Sequence, residues 1–464
     1  MLIANAEVDG VTGLDVRVDG ATITEIGPAL AVAAGEARLD ARGGALLPGL
    51  HDHHIHLFAL AAADRSLRCG PPRVCDAASL ANALSRRDAG TGWLRGVGYH
   101  ESVAGELDRE SLDNLVPDRP LRIQHRSGAL WMVNSAAAAL LGLDDGAEHS
   151  GIERDAGGRA TGRLFRMDDW LRERIGGEPP RLTDVSRRLA RFGVTGLTDA
   201  TATNGAAEAV AFRRAIDAGD LLQRIVMMGT LALPGDAGPR LARGAVKLLI
   251  DERDLPGFDD LRSRFEAIHR AGRTIAIHCV TRVELVLTLA ALAASGTRSG
   301  DRIEHAGVAP PDVLPLLAKQ GLTVVSQPHF IRERGDAYRE SVDARDLPWL
   351  YRARALLDAS VRLGGGSDAP FGSCDPWAAM RTAVARRTQS GALLGGDERL
   401  SPEQALALFT SPAADPGGPP RRVAVGSPAD LCLLACRWSE ARQTLASDLV
   451  AATLVRANVV WRRE

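Results

Sequence analysis

Lysine is nearly missing from this chain. Of its 56 basic residues only Lys247 and Lys319 are lysine, and the rest are arginine. Arginine therefore supplies the generic surface charge, and a surviving lysine invites a specific role. A dominant charge of one sign is lacking too. The formal net charge is −2 and the arginines are scattered, which removes the electrostatic case for nucleic acid or an anionic membrane as partner. No stretch reaches ~18 uninterrupted apolar residues, so no membrane span is expected. Residues 1–20 have no basic start leading into an apolar run, so no secretory signal is read there. The six cysteines (Cys69, Cys75, Cys279, Cys374, Cys432 and Cys436) form no CxxC pair. Dispersed in this way, they read as reduced, mostly buried thiols of a cytoplasmic protein.

At 464 residues the chain has room for two or three domains, or for one large barrel with additions. Residues 1–44 read as short strands punctuated by Gly and Asp, and the C-terminus repeats that character in "PADLCLLA" and "LVAATLVRANVVWRRE". A small composite β domain, residues 1–44 with 422–464, is the expectation. Between these ends, short apolar runs alternate with helix-like segments. The runs fall at 193–200, 224–231, 245–250, 274–279, 301–305, 322–327 and 361–368. With a strand ending at 47–56 they make eight, which predicts an α/β fold of the TIM type, a (β/α)8 barrel over 45–57 and 189–421. Residues 58–188 are too long for one connection. They are expected to form an inserted subdomain that covers the active site, with a charged helical stretch near 163–174.

The stretch "LPGLHDHHIHLFAL" places His51, His53, His54 and His56 within six positions. Side chains alternate along a strand, so Asp52, His54 and His56 share one face, while His51, His53, Ile55 and Leu57 share the other. Barrel chemistry sits at the C-terminal ends of strands, and His54 and His56 lie nearest that end. Two imidazoles at i and i+2 can grip one cation from the same side. His51 and His53 read as solvated histidines of a polar strand end or as support for that pair. Further on, Lys247, His278, His305 and Asp368 each stand as a lone ionisable group near the end of a predicted strand. Each has a bland alternative: a core histidine bonded to backbone, a turn aspartate, a snorkelling lysine. Together they fall on strands one, four, five, six and eight, and a metal cluster would satisfy all six groups at once.

In these motifs the chain resembles the amidohydrolase superfamily. "PGLHDHHIH" matches its opening motif, and "VKLLID", "IAIHCV", "RIEHAG" and "GGGSDAP" follow in family order. "GVGYHES", "VPDRPLRIQHRSGALWMVNSAAAALLG" and "SDAPFGSCDPWAAM" resemble the branch that includes N-substituted formamide deformylase. Two positions depart from that branch, His100 where relatives carry Asp and Ala129 where they carry His. The resemblance implies a metal set of His54, His56, Lys247, His278, His305 and Asp368. It also implies carboxylation of Lys247 by CO2. One or two divalent ions are expected, zinc first, with manganese or iron as alternatives.

The implied reaction is hydrolysis of a non-peptide C–N bond by metal-activated water, with Asp368 as general acid and base. Candidate substrate contacts are His125, Arg126, Trp131, Gln327, His329, Arg332 and Cys374, with His329 preferred because it follows the seventh strand. A small-molecule substrate is the expected partner, and a homodimer is left open. The competing functions are a mononuclear heterocycle deaminase and a catalytically silent scaffold of the same fold.

Overall fold

The computed structural model describes residues 1–85, 92–235, 238 and 240–464. Eight parallel strands lie side by side: β1 Leu50–Ile55, β2 Val194–Asp199, β3 Arg224–Gly229, β4 Leu241–Leu249, β5 Ile275–Cys279, β6 Arg302–His305, β7 Thr323–Ser326 and β8 Arg362–Gly365. The chain closes the sheet just beyond β8. The Asp368 amide donates to the His54 carbonyl at 2.7 Å, and the His56 amide donates to Ala369 at 2.9 Å. This is the barrel that the alternation of apolar runs and helices predicted.

Local sequence explains the elements. β5, "IAIHC", is rich in β-branched residues and buried at every position except His278, which is half-buried. The helix after it, Arg282–Ser295, begins in a capping box. Thr281 accepts from the Glu284 amide at 3.3 Å, and Glu284 accepts back from Thr281 at 3.0 Å. The preceding helix, Phe258–Arg270, carries Asp259 and Asp260 in its first turn and His269 and Arg270 in its last, as the helix dipole favours. Gly366 is required by packing. A Cβ there would stand 2.5 Å from the His54 Cβ and 2.8 Å from its amide nitrogen.

Two four-stranded sheets built from both ends of the chain share one apolar core that includes Ile3, Val16, Leu39, Leu431 and Leu454. Leu46–Pro48, expected in the barrel, instead pairs antiparallel with Leu431–Leu434 in one of these sheets. These sheets and the barrel make up one compact unit, residues 1–57 with 181–464. Residues 181–188, expected in the insertion, belong to it because helix Thr183–Arg191 leads directly into β2.

Residues 58–180 form the second unit. Its six-stranded sheet runs in the order Ile152–Arg154, Ala160–Phe165, Leu130–Val133, Leu121–His125, Leu94–Tyr99, Leu67–Arg68. The stretch near 163–174, expected to be helical throughout, is strand to Phe165 and helix only over Asp168–Ile175. Buried Asn134 caps helix Ser135–Leu141, accepting from Ala137 at 3.0 Å. It also donates to the carbonyls of Val116 at 2.7 Å and Arg119 at 2.9 Å. Among the described residues no helix is long and apolar enough to cross a membrane.

Candidate metal centre

The C-terminal end of the barrel brings together three side chains at and just beyond the ends of the two strands that close it. One ligand atom each from His54, His56 and Asp368 lie within 4.8 Å of one another, the one such cluster among the described residues. His54 Nε2 is 3.4 Å and His56 Nε2 3.2 Å from Asp368 Oδ1. Their other ring nitrogens are engaged elsewhere. His56 Nδ1 meets Thr201 Oγ1 at 3.1 Å, and His54 Nδ1 is hydrogen-bonded to Glu304. Fixing one imidazole nitrogen in this way aims the other at a common point, the arrangement that orients metal-ligating histidines.

His305 lies next to this cluster, with its ring centroid 4.9 Å from that of His54 and its Nδ1 held by Gln327 Oε1 at 2.8 Å. His278 follows, its ring centroid 4.5 Å from that of His305. Burial pushes His305 down to about 3, so it is a neutral imidazole, the form that binds a cation. Lys247 on β4 is buried, and its Nζ has no hydrogen-bond partner. Burial, the largest influence, lowers its pKa to about 8, although Glu304 pulls the other way. An orphaned amine inside a barrel is costly unless another group reaches it. The donor set therefore fits a metal: imidazoles each held through one ring nitrogen, an ionised carboxylate and an amine without a hydrogen-bond partner.

Glu304 was not among the expected site residues. It is fully buried and bonded to His54 on one side and Arg302 on the other, with Arg302 Nη2 also donating to the His53 carbonyl at 2.7 Å. Burial alone would raise its pKa, but Arg302, Lys247 and His54 outweigh burial and hold it well below the ordinary carboxylate range. A signal was available in "RIEH". On a strand, Arg302 and Glu304 share a face, and two opposite charges on one face of a barrel strand imply an internal pair.

The other expected residues each have defined surroundings within their own unit. His51 and His53 are buried and bonded to Thr198 Oγ1 and Ser411 Oγ, each at 2.9 Å, and burial keeps both neutral. Asp52 ties β1 to the last turn, accepting from the amides of His54 at 3.1 Å and Ser367 at 2.9 Å. His329, expected on the pocket wall, is buried and spends Nε2 on the Ser367 carbonyl at 2.9 Å, so it positions the turn that carries Asp368. Gln327 is likewise buried, behind His305. Arg332 is exposed on helix Phe330–Ser341, and Cys374 is half-buried. In the second unit, half-buried His125 bonds Ser127 Oγ at 2.7 Å and Glu101 at 3.2 Å, and Arg126 follows it, half-buried too. Trp131 lies in the core of that unit, its Nε1 donating to Asp168 at 2.9 Å and its ring flanked by Arg95 and Arg122. That placement gives it a packing role. His305, Ala306 and Asp368 adopt left-handed backbone angles, with φ of 70°, 47° and 50°. Such strain, about 1–3 kcal/mol each, collects where function demands a geometry.

A parallel barrel whose mouth holds imidazoles, a carboxylate and a desolvated lysine defines the class of metal-dependent hydrolase barrels. Residues 38–461 match the model of the amidohydrolase family, and the chain belongs to that family. It is 27% identical to N-substituted formamide deformylase of Arthrobacter pascens, over 90% of this chain and 89% of that one. Among solved structures, an uncharacterized metal-dependent hydrolase from Pyrococcus horikoshii is similar, with a TM-score of 0.73, 20% identity and coverage of 94% of this chain and 97% of the other. Atrazine chlorohydrolase TrzN from Arthrobacter aurescens, complexed with zinc, is also similar, with a TM-score of 0.58, 15% identity and coverage of 99% and 94%. These last two likenesses concern the fold.

Proposed function

We propose that this protein is a metal-dependent hydrolase that cleaves a non-peptide C–N bond in an amide, an N-formyl or N-acyl amine, or a cyclic amide. The carrying observation is the convergence of His54, His56 and Asp368 within 4.8 Å at the barrel mouth, with the unpartnered Lys247 amine buried nearby. The likeness to a formamide deformylase supports the substrate class. His54, His56, His278, His305 and Asp368 would hold the metal. Lys247 would join them after its neutral amine adds to CO2, which releases a proton and leaves a carbamate with one negative charge shared by two oxygens. Zinc is the first ion to test, because the similar chlorohydrolase was solved with it. When bound, a divalent ion supplies Lewis acidity and lowers the pKa of water.

The side chains divide the remaining work. Glu304 and Thr201 hold the imidazoles of His54 and His56 in orientation. Burial works against the charge on Asp368, but its bonds to His54 and His56 keep the carboxylate ionised. It therefore accepts the proton of the attacking water and returns it to the departing nitrogen.

The test is to load the purified chain with zinc in bicarbonate and measure metal content and turnover of N-formyl and N-acyl amines. The expected result is stoichiometric metal and turnover that falls about 10²–10⁴-fold in Asp368→Asn. Protein that takes up no metal, or whose turnover survives Asp368→Asn, overturns the reading.

A further inference from the structure

Helix Phe330–Ser341 follows β7 at the catalytic end of the barrel and turns Arg334 toward the turn that carries Asp368. The half-buried guanidinium donates Nη2 to the Phe371 carbonyl at 2.6 Å. Phe371 in turn donates its amide to the Asp368 carbonyl at 2.8 Å, and its ring lies 5.6 Å from that of His56. The guanidinium carbon stands 4.0 Å from the centre of the Phe330 ring, and the Tyr338 hydroxyl faces it. Tyr338 and Tyr351 bring their hydroxyls to 3.4 Å and line a cavity of about 360 Å³ beyond the ends of β5 and β6.

A comparison within the fold shows what is unusual here. Arg386, also buried in the barrel unit, spends its donors on four backbone carbonyls, those of Leu350, Tyr351, Leu394 and Gly395, at 2.9–3.2 Å. It is a structural arginine with its donors used. Arg334 has one carbonyl acceptor and no carboxylate at ion-pair distance among the described residues. Arg334 itself is only half-buried. Burial opposes its charge, but Tyr338, Tyr351 and Asp368 outweigh that effect and it stays cationic. A guanidinium has five N–H donors in a planar fork that matches a carboxylate.

We propose that Arg334, with the Tyr338 hydroxyl beside it, is the specificity-determining residue of the site and receives a carboxylate carried by the substrate. The substrate class then narrows to amides, N-formyl or N-acyl amines that bear a carboxylate. A single guanidinium and a neutral hydroxyl suit a planar monoanion better than a phosphate dianion. This inference rests on the C–N hydrolase reading for its substrate and on the Arg334 environment for its anion.

Two measurements separate the two claims. In the first, the metal-loaded full chain is assayed on an N-formyl amine bearing a carboxylate and on its carboxamide isostere. Wild type should prefer the carboxylate by about 10- to 100-fold in kcat/KM, the range of a charge-assisted bond, expressed mainly in KM. Arg334→Gln should erase the preference, and Arg334→Lys, which keeps the charge but not the fork, should retain part of it. In the second, calorimetric titration with phenylacetate and phenylacetamide reads the anion site without turnover. Wild type should bind the carboxylate and Arg334→Gln should not, with both proteins melting alike. Carboxylate binding without hydrolysis of either amine would sink the C–N reading and support the anion site. Equal handling of each pair by wild type, or an Arg334→Gln loss shared by both members, would overturn the Arg334 inference.

Discussion

Glu304 carries three obligations at once, and its replacement by glutamine tests them together. The carboxylate is fully buried, bonds His54, pairs with Arg302 and sits in the field of Lys247. Glutamine keeps the shape and an acceptor for His54 but removes the charge. Two cations then remain in a desolvated barrel without their counter-ion. Removing one partner of such a buried pair costs about 3–5 kcal/mol, because the survivor stays unpaired. Replacing Arg302 by Met in the same protein removes one of those orphans. Glu304→Gln with Arg302→Met should therefore cost less than the sum of the single changes, with a coupling of about 0.5–3 kcal/mol. The His54 imidazole should also loosen, lowering metal affinity about 10- to 100-fold. Urea unfolding of the apo forms gives the first quantity, and competition with a chromophoric chelator gives the second. Additive stabilities together with metal affinity within threefold of wild type would refute the assigned role of Glu304.

Other outcomes follow from the same geometry. Lys247→Met removes a buried amine with no hydrogen-bond partner. The apo protein should melt at or above the wild-type temperature while bound metal falls, and a destabilised apo form would mean that the amine is paired after all. Gly366→Ala places a Cβ 2.5 Å from that of His54, so β8 must move away from β1. A stability loss of about 1–3 kcal/mol, with depleted metal content, is expected by melting and elemental analysis, and full metal occupancy would contradict it.

The sequence and the structure part company at identifiable residues. The eight strands were legible because apolar runs of strand length recur between helix-like segments, a local property of the chain. His54 and His56 were legible because alternation on one short strand fixes their common face. Arg332 was read as a substrate contact, yet it is exposed, while Arg334, two positions on, turns toward Phe371. In a helix two positions amount to half a turn, and the boundary of Phe330–Ser341 sets that phase. Trp131 was read as a pocket residue because it lies in the insertion, but its neighbours across the sheet, Gln124 and Leu164, fix it in a core. His329 was read as a pocket residue because it follows the seventh strand, but its partner, the Ser367 carbonyl, belongs to a segment that the sequence could not bring to it.

What the chain's order of residues determined alone was the eightfold βα rhythm, the β-rich ends and the positions at which polar groups interrupt apolar strands. These depend on periodicity over a few residues. The tertiary structure alone decided that Glu304 would hold His54 across 250 positions, that Lys247 would be left without a hydrogen-bond partner, and that Asp368 would meet both His54 and His56. Barrel closure brings the first and last strands together, and a side chain's electrostatic surroundings exist only after that closure has excluded water.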